Sequence, residues 1–426
     1  MPGGIFRVNS FSDQSMNVIL VTLGTDGDVF PYAALGAKLR ERGHRVQFVA
    51  TAIYQSLAES QGFDFHVLIS KAENDELFDN PDFWNPRKCG PVAAKWGVKF
   101  IRRQYELLAT LITRDAVLVV NPSVFAAAMV HEKFGTPMAS VLLQPGLIPS
   151  SIAPPIMPGF MFMRRAPRPL WDVFWRGLDA CAYLLVGRTL NPIRKSLGLK
   201  PLRRIFRNWH SPQLAIGLFP AWYGPPQADW PPQMRLFDFP TFDGKSNPEL
   251  PPPVMEFCRA GTPPVVFTFG TGMAHSARLF KAALDACQLL GTRALFLTKF
   301  PSQLPRPLPP NIMACEFAPF QKLFPECAAV VHHGGVGTAA KAMAAGLPQL
   351  VCPICFDQLD NSVRLKELGV GEWLKASQVD GKHIAAALTR LRTPERRARC
   401  REIATRFGKG DGLDSAAEAV ESLGDK

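Results

Sequence analysis

The sequence predicts an α/β fold made of two doubly wound, parallel-sheet domains facing a cleft. Three observations carry this expectation. The chain has 426 residues, well past the roughly 250–300 at which one hydrophobic core stops growing. Its apolar runs are short and continuous, as in strands buried on both faces of a parallel sheet. The succession of strand, glycine-rich turn and helix occurs near the start and begins again after a proline-rich stretch in the middle.

The elements follow in order. Residues 1–15 are polar with no apolar core, so they read as a disordered leader rather than a secretory signal, and Met16 is an alternative start. Residues 18–23 (Val-Ile-Leu-Val-Thr-Leu) predict a buried strand, residues 24–28 (Gly-Thr-Asp-Gly-Asp) a tight turn, and residues 30–42 a helix closed by Gly43. Strands are expected at 45–50, 116–120 and 139–143, with a helix at 126–134. Residues 243–253 (Asp-Gly-Lys-Ser-Asn-Pro-Glu-Leu-Pro-Pro-Pro) read as a linker. Beyond it, strands are expected at 264–269, 294–298, 328–332 and 349–352, with helices at 277–290 and from 338 onward. The first domain is therefore drawn at 16–242 and the second at 254–407, with a tail at 408–426 that can pack back on the first.

Composition narrows the class. With 47% hydrophobic and 20% charged residues, the chain is folded rather than disordered. No run of about 18 apolar residues occurs, so no membrane span is expected. The most apolar stretch, 140–163, is broken by Pro145, Pro149, Pro154, Pro155 and Pro158. Nine scattered cysteines, an odd number, read as reduced thiols of a cytoplasmic protein. Cys352-Pro-Ile-Cys355 has no second cysteine pair at zinc spacing and reads as small buried residues ending a strand. The formal charge of +12 favours an anionic partner, whether nucleic acid, acidic lipid or a phosphorylated small molecule.

The strongest local signal is residues 329–338, Ala-Val-Val-His332-His333-Gly334-Gly335-Val-Gly337-Thr338. An apolar strand runs into a glycine-rich turn and then a helix, whose N-terminal amides and positive dipole end suit a phosphate. Phe269-Gly-Thr271-Gly272 is a second such turn. Asp357-Gln358, directly after the apolar residues 353–356, pairs a carboxylate with an amide, a combination suited to vicinal hydroxyls.

This combination resembles the family-one nucleotide-sugar glycosyltransferases, whose two-domain fold is called GT-B, over nearly all of residues 16–407. Residues 332–338 match the His-His-Gly-Gly-x-Gly-Thr form of bacterial antibiotic and lipid glycosyltransferases. Plant members carry His-Cys-Gly-Trp-Asn-Ser. The resemblance implies that the second domain binds the nucleotide sugar and the first the acceptor. His332, Gly334, Gly335, Gly337 and Thr338, with Thr271, would hold the diphosphate, and Asp357 and Gln358 the sugar hydroxyls. Phe317 would stack on the pyrimidine and the Ala318 backbone would read its edge. Ala340 stands, by register, where plant members carry the glutamate that grips the ribose. Its loss hints at a dTDP-sugar over a UDP-sugar. Nothing but this co-substrate is implied as a cofactor, and no metal.

Asp28, in the first glycine turn, stands where relatives carry a histidine or aspartate base. Direct displacement at the anomeric carbon needs such a base within hydrogen-bond reach of the acceptor hydroxyl. Asp26 is the alternative, and an N-cap of the following helix is the non-catalytic role open to Asp28.

Residues 164–207 hold eleven Arg and Lys against Asp172 and Asp179, interleaved with Leu170, Trp171, Phe174 and Trp175. Such a segment suits either a solvated basic helix or one lying on an anionic membrane. Further blocks at 81–86, 131–137, 219–226 and 239–244 are similar to the catalytic subunits of rhamnolipid-forming rhamnosyltransferases. They imply a lipid or other small apolar acceptor, which residues 154–163 could line. A polyketide or peptide acceptor, a non-catalytic nucleotide-sugar binder and a nucleic-acid binder are the competing readings. The last lacks any aromatic-basic RNA motif or zinc framework and is not expected.

Overall fold

The computed structural model describes residues 15–207, 209–244, 249–408 and 411–424. The polar leader up to residue 14 and residues 245–248 of the proline-rich stretch lie outside them. The first sheet contains β1 (Asn17–Val21), β2 (Arg45–Thr51), β3 (Asp64–Ile69), β4 (Ala116–Val120), β5 (Met138–Leu142), β6 (Leu214–Gly217) and β7 (Met234–Leu236). The second contains β8 (Val265–Thr268), β9 (Ala294–Leu297), β10 (Ile312–Cys315), β11 (Ala329–His332), β12 (Gln349–Val351) and β13 (Gly371–Trp373).

The side chains of β1 show why these runs are continuously apolar. Val18 and Leu20 face one layer with Phe48, Val117 and Val119. Ile19 and Val21 face the other with Leu118 and Val120. Both faces are covered by helices, so neither side of the strand can be polar. Burying each such aliphatic side chain contributes about 1.5–3 kcal/mol. The last helix, Asp411–Gly424, lies against the first domain rather than the second, with Ala416, Ala417, Val420 and Leu423 in the first core. Its Glu421 accepts hydrogen bonds from Arg42 Nε at 2.7 Å and pairs with His44 Nε2 at 2.8 Å.

The strand orders are β3-β2-β1-β4-β5-β6-β7 and β10-β9-β8-β11-β12-β13, every pairing parallel. Each order reverses direction beside its first strand, between β1 and β4 and between β8 and β11. Ligands of doubly wound sheets sit at the carboxyl ends of the strands flanking such a reversal. The three glycine turns follow β1, β8 and β11, so topology alone delivers them to the cleft. An apolar cluster joins the domains, with Leu142, Tyr223 and Phe239 packed with Ala339, Ala340, Met343 and Leu365.

The basic segment is helical over Arg168–Ala182, passes through a π turn at Tyr183–Gly187 and resumes at Arg188–Ser196. Its charge does not all face solvent. Arg194 is buried and bound by Glu132, with Nη1 to Oε1 at 2.9 Å. Arg164 pairs across the domains with Glu367.

Candidate active site

The domains enclose a cleft of about 870 Å³. Its first wall is the turn after β1. Gly24 has φ +130°, and a Cβ there would lie 2.3 Å from Asp28 Oδ2, so only glycine fits. Thr25 then caps helix Asp26–Glu41, and Asp28 is its third residue. Asp28 Oδ2 accepts from the Thr25 amide at 2.9 Å and the Thr25 hydroxyl at 3.1 Å. Asp28 therefore completes a capping box from inside the helix, rather than serving as the N-cap itself. Its Oδ1 takes part in no hydrogen bond among the described residues. Burial pushes the carboxyl above its usual value, against the two Thr25 bonds, and the neighbouring Asp26 adds to the rise. Asp26 is occupied: Tyr54 donates to its Oδ1 at 3.0 Å, and Lys299 of the second domain pairs with its Oδ2 at 3.1 Å.

The turn after β8 meets this wall directly. A Cβ on Gly272 would lie 2.9 Å from the Phe78 ring and 3.0 Å from Thr25 Cγ2. Thr271 faces the cleft beside it.

The turn after β11 corrects one sequence expectation. His332 does not reach the cleft, because its ring is fully buried at the end of β11. Its Nδ1 accepts from the Gly334 amide at 3.2 Å, which leaves Nε2–H to donate to Gln349 Oε1 at 3.0 Å. Burial, with the neighbouring His333, lowers its pKa to about 3, so it is a neutral structural group. The imidazole lining the cleft is His333, whose pKa burial lowers to about 4. A signal for this was present in the sequence. In the plant motif the histidine stands five positions before the serine, and counting back five from Thr338 reaches His333. Gly335 is the residue before helix Val336–Ala344, and a Cβ there would lie 2.7 Å from His333 Nε2. The missing side chain thus lets the ring lie over the helix N-terminus. Gly334, at φ +101°, presses on Val351 and the Gln358 carbonyl, where a Cβ would fall at 2.8 and 2.9 Å. Gly337 and Thr338 line the cleft at the first helical turn.

Asp357 and Gln358 open helix Gln358–Glu367. Phe356 before them has φ +55°, an uncommon conformation for a bulky residue. Asp357 Oδ2 accepts from Asn361 Nδ2 at 2.6 Å. Burial, together with the charge of Asp28 across the cleft, raises Asp357 to a pKa of about 7. Gln358 Oε1 is held by the Ile354 and Cys355 amides at 2.7 and 3.0 Å. Its amide nitrogen, free of hydrogen bonds among the described residues, is the group left for a ligand. Cys352 and Cys355 are buried, and burial pushes the Cys352 thiol up to about 12.

Phe317 is exposed at the cleft and Ala318 is buried behind it. The ribose register is a second correction. Ala340 is buried in the interdomain cluster, and the neighbour that lines the cleft is Lys341. Lys341 Nζ pairs with Asp243 and donates to the Phe242 carbonyl at 2.9 Å. Asp243 Oδ2 also accepts from the Gln321 amide at 3.0 Å. The plant glutamate stands three residues after the serine of its motif, and three residues beyond Thr338 is Lys341.

The far end of the cleft is apolar. Helices Lys71–Phe78, Cys89–Gly97, Ile101–Thr110 and Arg168–Ala182 supply Phe78, Ala94, Ile101, Leu178 and Ala182 to its lining, joined by Trp84 of the turn Pro81–Trp84 and by Phe125. Residues 154–163, expected there, do not line it.

This architecture defines a class: two doubly wound domains, with three glycine turns converging on one cleft. The N-terminal domain of glycosyltransferase family 28 matches residues 18–146. The C-terminal domain of the erythromycin biosynthesis protein CIII-like family matches residues 297–407. An uncharacterized glycosyltransferase of Mycobacterium leprae is 28% identical over 425 residues, spanning 95% of this chain and 96% of its own length. A sterol 3-beta-glucosyltransferase of Arabidopsis thaliana is 23% identical over 435 residues, 95% of this chain and 67% of its own. Among solved structures, the calicheamicin glycosyltransferase CalG4 superposes with a TM-score of 0.71 at 19% identity, covering 96% of this chain and 98% of its own. The glycosyltransferase VinC in complex with dTDP has a TM-score of 0.68 at 16% identity, covering 96% and 100%. The chain is a glycosyltransferase with the GT-B fold.

Proposed function

We propose that the protein moves a hexose or deoxyhexose from a dTDP- or UDP-sugar to the hydroxyl of a lipid or other small apolar acceptor, inverting the anomeric centre and needing no metal. One observation carries this reading. The single cleft joins three amide-rich glycine turns at one end to an aromatic and aliphatic cavity at the other. The first end suits a diphosphate and the second an apolar alcohol.

In this reading the diphosphate sits at the N-terminus of helix Val336–Ala344, with the hydroxyls of Thr271 and Thr338 and the imidazole of His333. Phe317 stacks on the pyrimidine against the Ala318 backbone, and Asp357 and Gln358 hold the sugar hydroxyls. Asp28 Oδ1 accepts the acceptor's proton. The acceptor oxygen then forms its bond to the anomeric carbon as the bond to the diphosphate breaks. The departing charge is received by backbone amides fixed before the reaction begins. Asp26 is the poorer base because Lys299 and Tyr54 already hold both its oxygens. The dTDP bound by VinC and the sterol in the plant relative's name support a thymidine donor and an apolar acceptor. The calicheamicin in CalG4's name favours the second reading, a polyketide or peptide natural-product acceptor.

The test is turnover of a donor-by-acceptor matrix, read by mass spectrometry, in excess EDTA. Asp28→Asn should lower kcat by about 10²–10⁴-fold while leaving the Kd for dTDP or UDP within about twofold. Undiminished turnover in that variant removes Asp28 from the mechanism.

A further inference from the structure

Helix Arg168–Ala182 and the π turn after it carry two apolar faces. The inner face, with Leu178, Ala182, Leu185 and Val186, lines the cleft. Among the described residues, none covers the outer face. Leu170 and Leu184 are each 54% exposed and Val173 is 64% exposed. The spacing from 170 to 173, 177, 180 and 184 follows one helical stripe, and Gly177 and Ala180 on it are exposed as well. Phe162, in the preceding turn Met161–Arg165, stands 79% exposed, with Phe160 and Met161 beside it.

The charge around this stripe has one sign. Arg165, Arg168, Arg176 and Arg188 are exposed and make no ion pair among the described residues. The only acidic residues of 160–188 are turned away: Asp179 is buried and binds the Phe206 amide, and Asp172 accepts from the Ser151 hydroxyl. A protein partner or a second copy would have to bring carboxylates to four arginines while also covering large aliphatic groups. An anionic bilayer offers both at once, phosphates at the headgroup level and acyl chains beneath.

We infer that the outer face of residues 160–188 docks onto an anionic lipid bilayer, with Phe162, Leu170, Val173 and Leu184 entering the interface and Arg165, Arg168, Arg176 and Arg188 meeting lipid phosphates. Cys181 lies on the same helix, is exposed and lines the cleft, so the apolar end of the cleft reaches the surface beside the docking face. Delivery of an apolar acceptor from the bilayer into the cavity rests on the function proposed above. The docking itself does not, since it needs no turnover.

The experiment is co-sedimentation of the full chain with vesicles of phosphatidylcholine containing about 30% phosphatidylglycerol, against pure phosphatidylcholine, at 0.1 and 0.5 M NaCl. The expected result is at least tenfold stronger partition into the anionic vesicles, lost at the higher salt. Two sets of surface variants should each lower partition about tenfold with unchanged circular dichroism and thermal midpoint: Val173→Asp with Leu184→Asp, and Arg165, Arg168, Arg176 and Arg188 each to Gln. Equal partition into the two vesicle types, or binding retained by both variants, overturns the inference. So does a solution dimer that Val173→Asp dissociates in a protein that ignores vesicles.

Discussion

The two ends of the cleft meet a ligand by different means. The turns at 270–272 and 333–338 present backbone amides, glycines, two threonines and one neutral imidazole. The opposite end presents rings and aliphatic groups from four helices and the loops between them. A diphosphate has a fixed charge and size, and a few amides at a helix N-terminus satisfy it. An apolar acceptor is recognised by shape, which packing over long sequence distances must create. The first can therefore be encoded in two short runs, residues 270–272 and 333–338. The second is spread from Phe78 to Val186.

The adjacent histidines are the strongest way to break this comparison, because they occupy both roles side by side. His332→Ala strands Gln349 Oε1 and the Gly334 amide in a fully buried site and should lower stability by about 2–4 kcal/mol. His333→Ala removes a group aimed at the ligand. It should weaken nucleoside diphosphate binding about 10–100-fold, the worth of a hydrogen bond to a charged group, and leave the thermal midpoint nearly unchanged. Calorimetric titration and thermal melts of both variants check this. Exchanged phenotypes would restore His332 as the ligand-binding residue.

The same contrast governs what the sequence disclosed. The strands recognised in it, β1, β2, β4, β5, β8, β9, β11 and β12, are covered on both faces and therefore largely apolar. Edge strands β3, β7, β10 and β13 escaped because one edge needs no partner and their residues are mixed. β3 carries Asp64 and His66, and β10 is only partly buried. Interior β6, Leu-Ala-Ile-Gly, is as long as β8 but carries a single β-branched residue and no aromatic, a weaker strand signal than the Val-Val-Phe-Thr of β8. At the site, the glycine turns were legible because each demands a conformation or a close approach that side chains forbid. Two adjacent histidines look alike in the sequence, and only the end of β11 decides which one is buried. The partners that hold the site across domains, Lys299 on Asp26 and Asp243 on Lys341, were not legible. They lie 273 and 98 residues apart in the chain.

Asp357 sharpens the comparison through pH. Its pKa of about 7 lies above that of an exposed carboxyl, mainly because of burial and secondarily because of Asp28. The folded state therefore keeps a proton that the unfolded chain releases near pH 4. Between pH 4 and 7 the unfolded chain binds fewer protons, so this group's contribution is fully present at low pH and is lost as pH rises through 7. Asp357→Asn should flatten the fall of the thermal midpoint over that window and leave the protein more stable than the parent above pH 7. A slope unchanged by the substitution would show that another group sets it. Asp28 is shifted in the same direction, so turnover should rise with pH as its carboxyl ionises.

The smallest expected effect tests the apolar end. Phe125 opens helix Phe125–Phe134, is only partly buried and lines the cavity. Phe125→Ala removes ring surface from the acceptor's side and leaves every diphosphate contact in place. Because the ring already meets solvent, its loss should cost the fold less than the usual 3–5 kcal/mol of a buried phenylalanine. Acceptor KM should rise about 3–10-fold for a long-chain alcohol and less for a short one, since the lost contact scales with the apolar area removed from water. Donor KM should not move. Steady-state kinetics with acceptors of graded chain length decides the matter. A change in donor KM of the same size would mean that the two ends of the cleft are coupled and do not recognise their ligands independently.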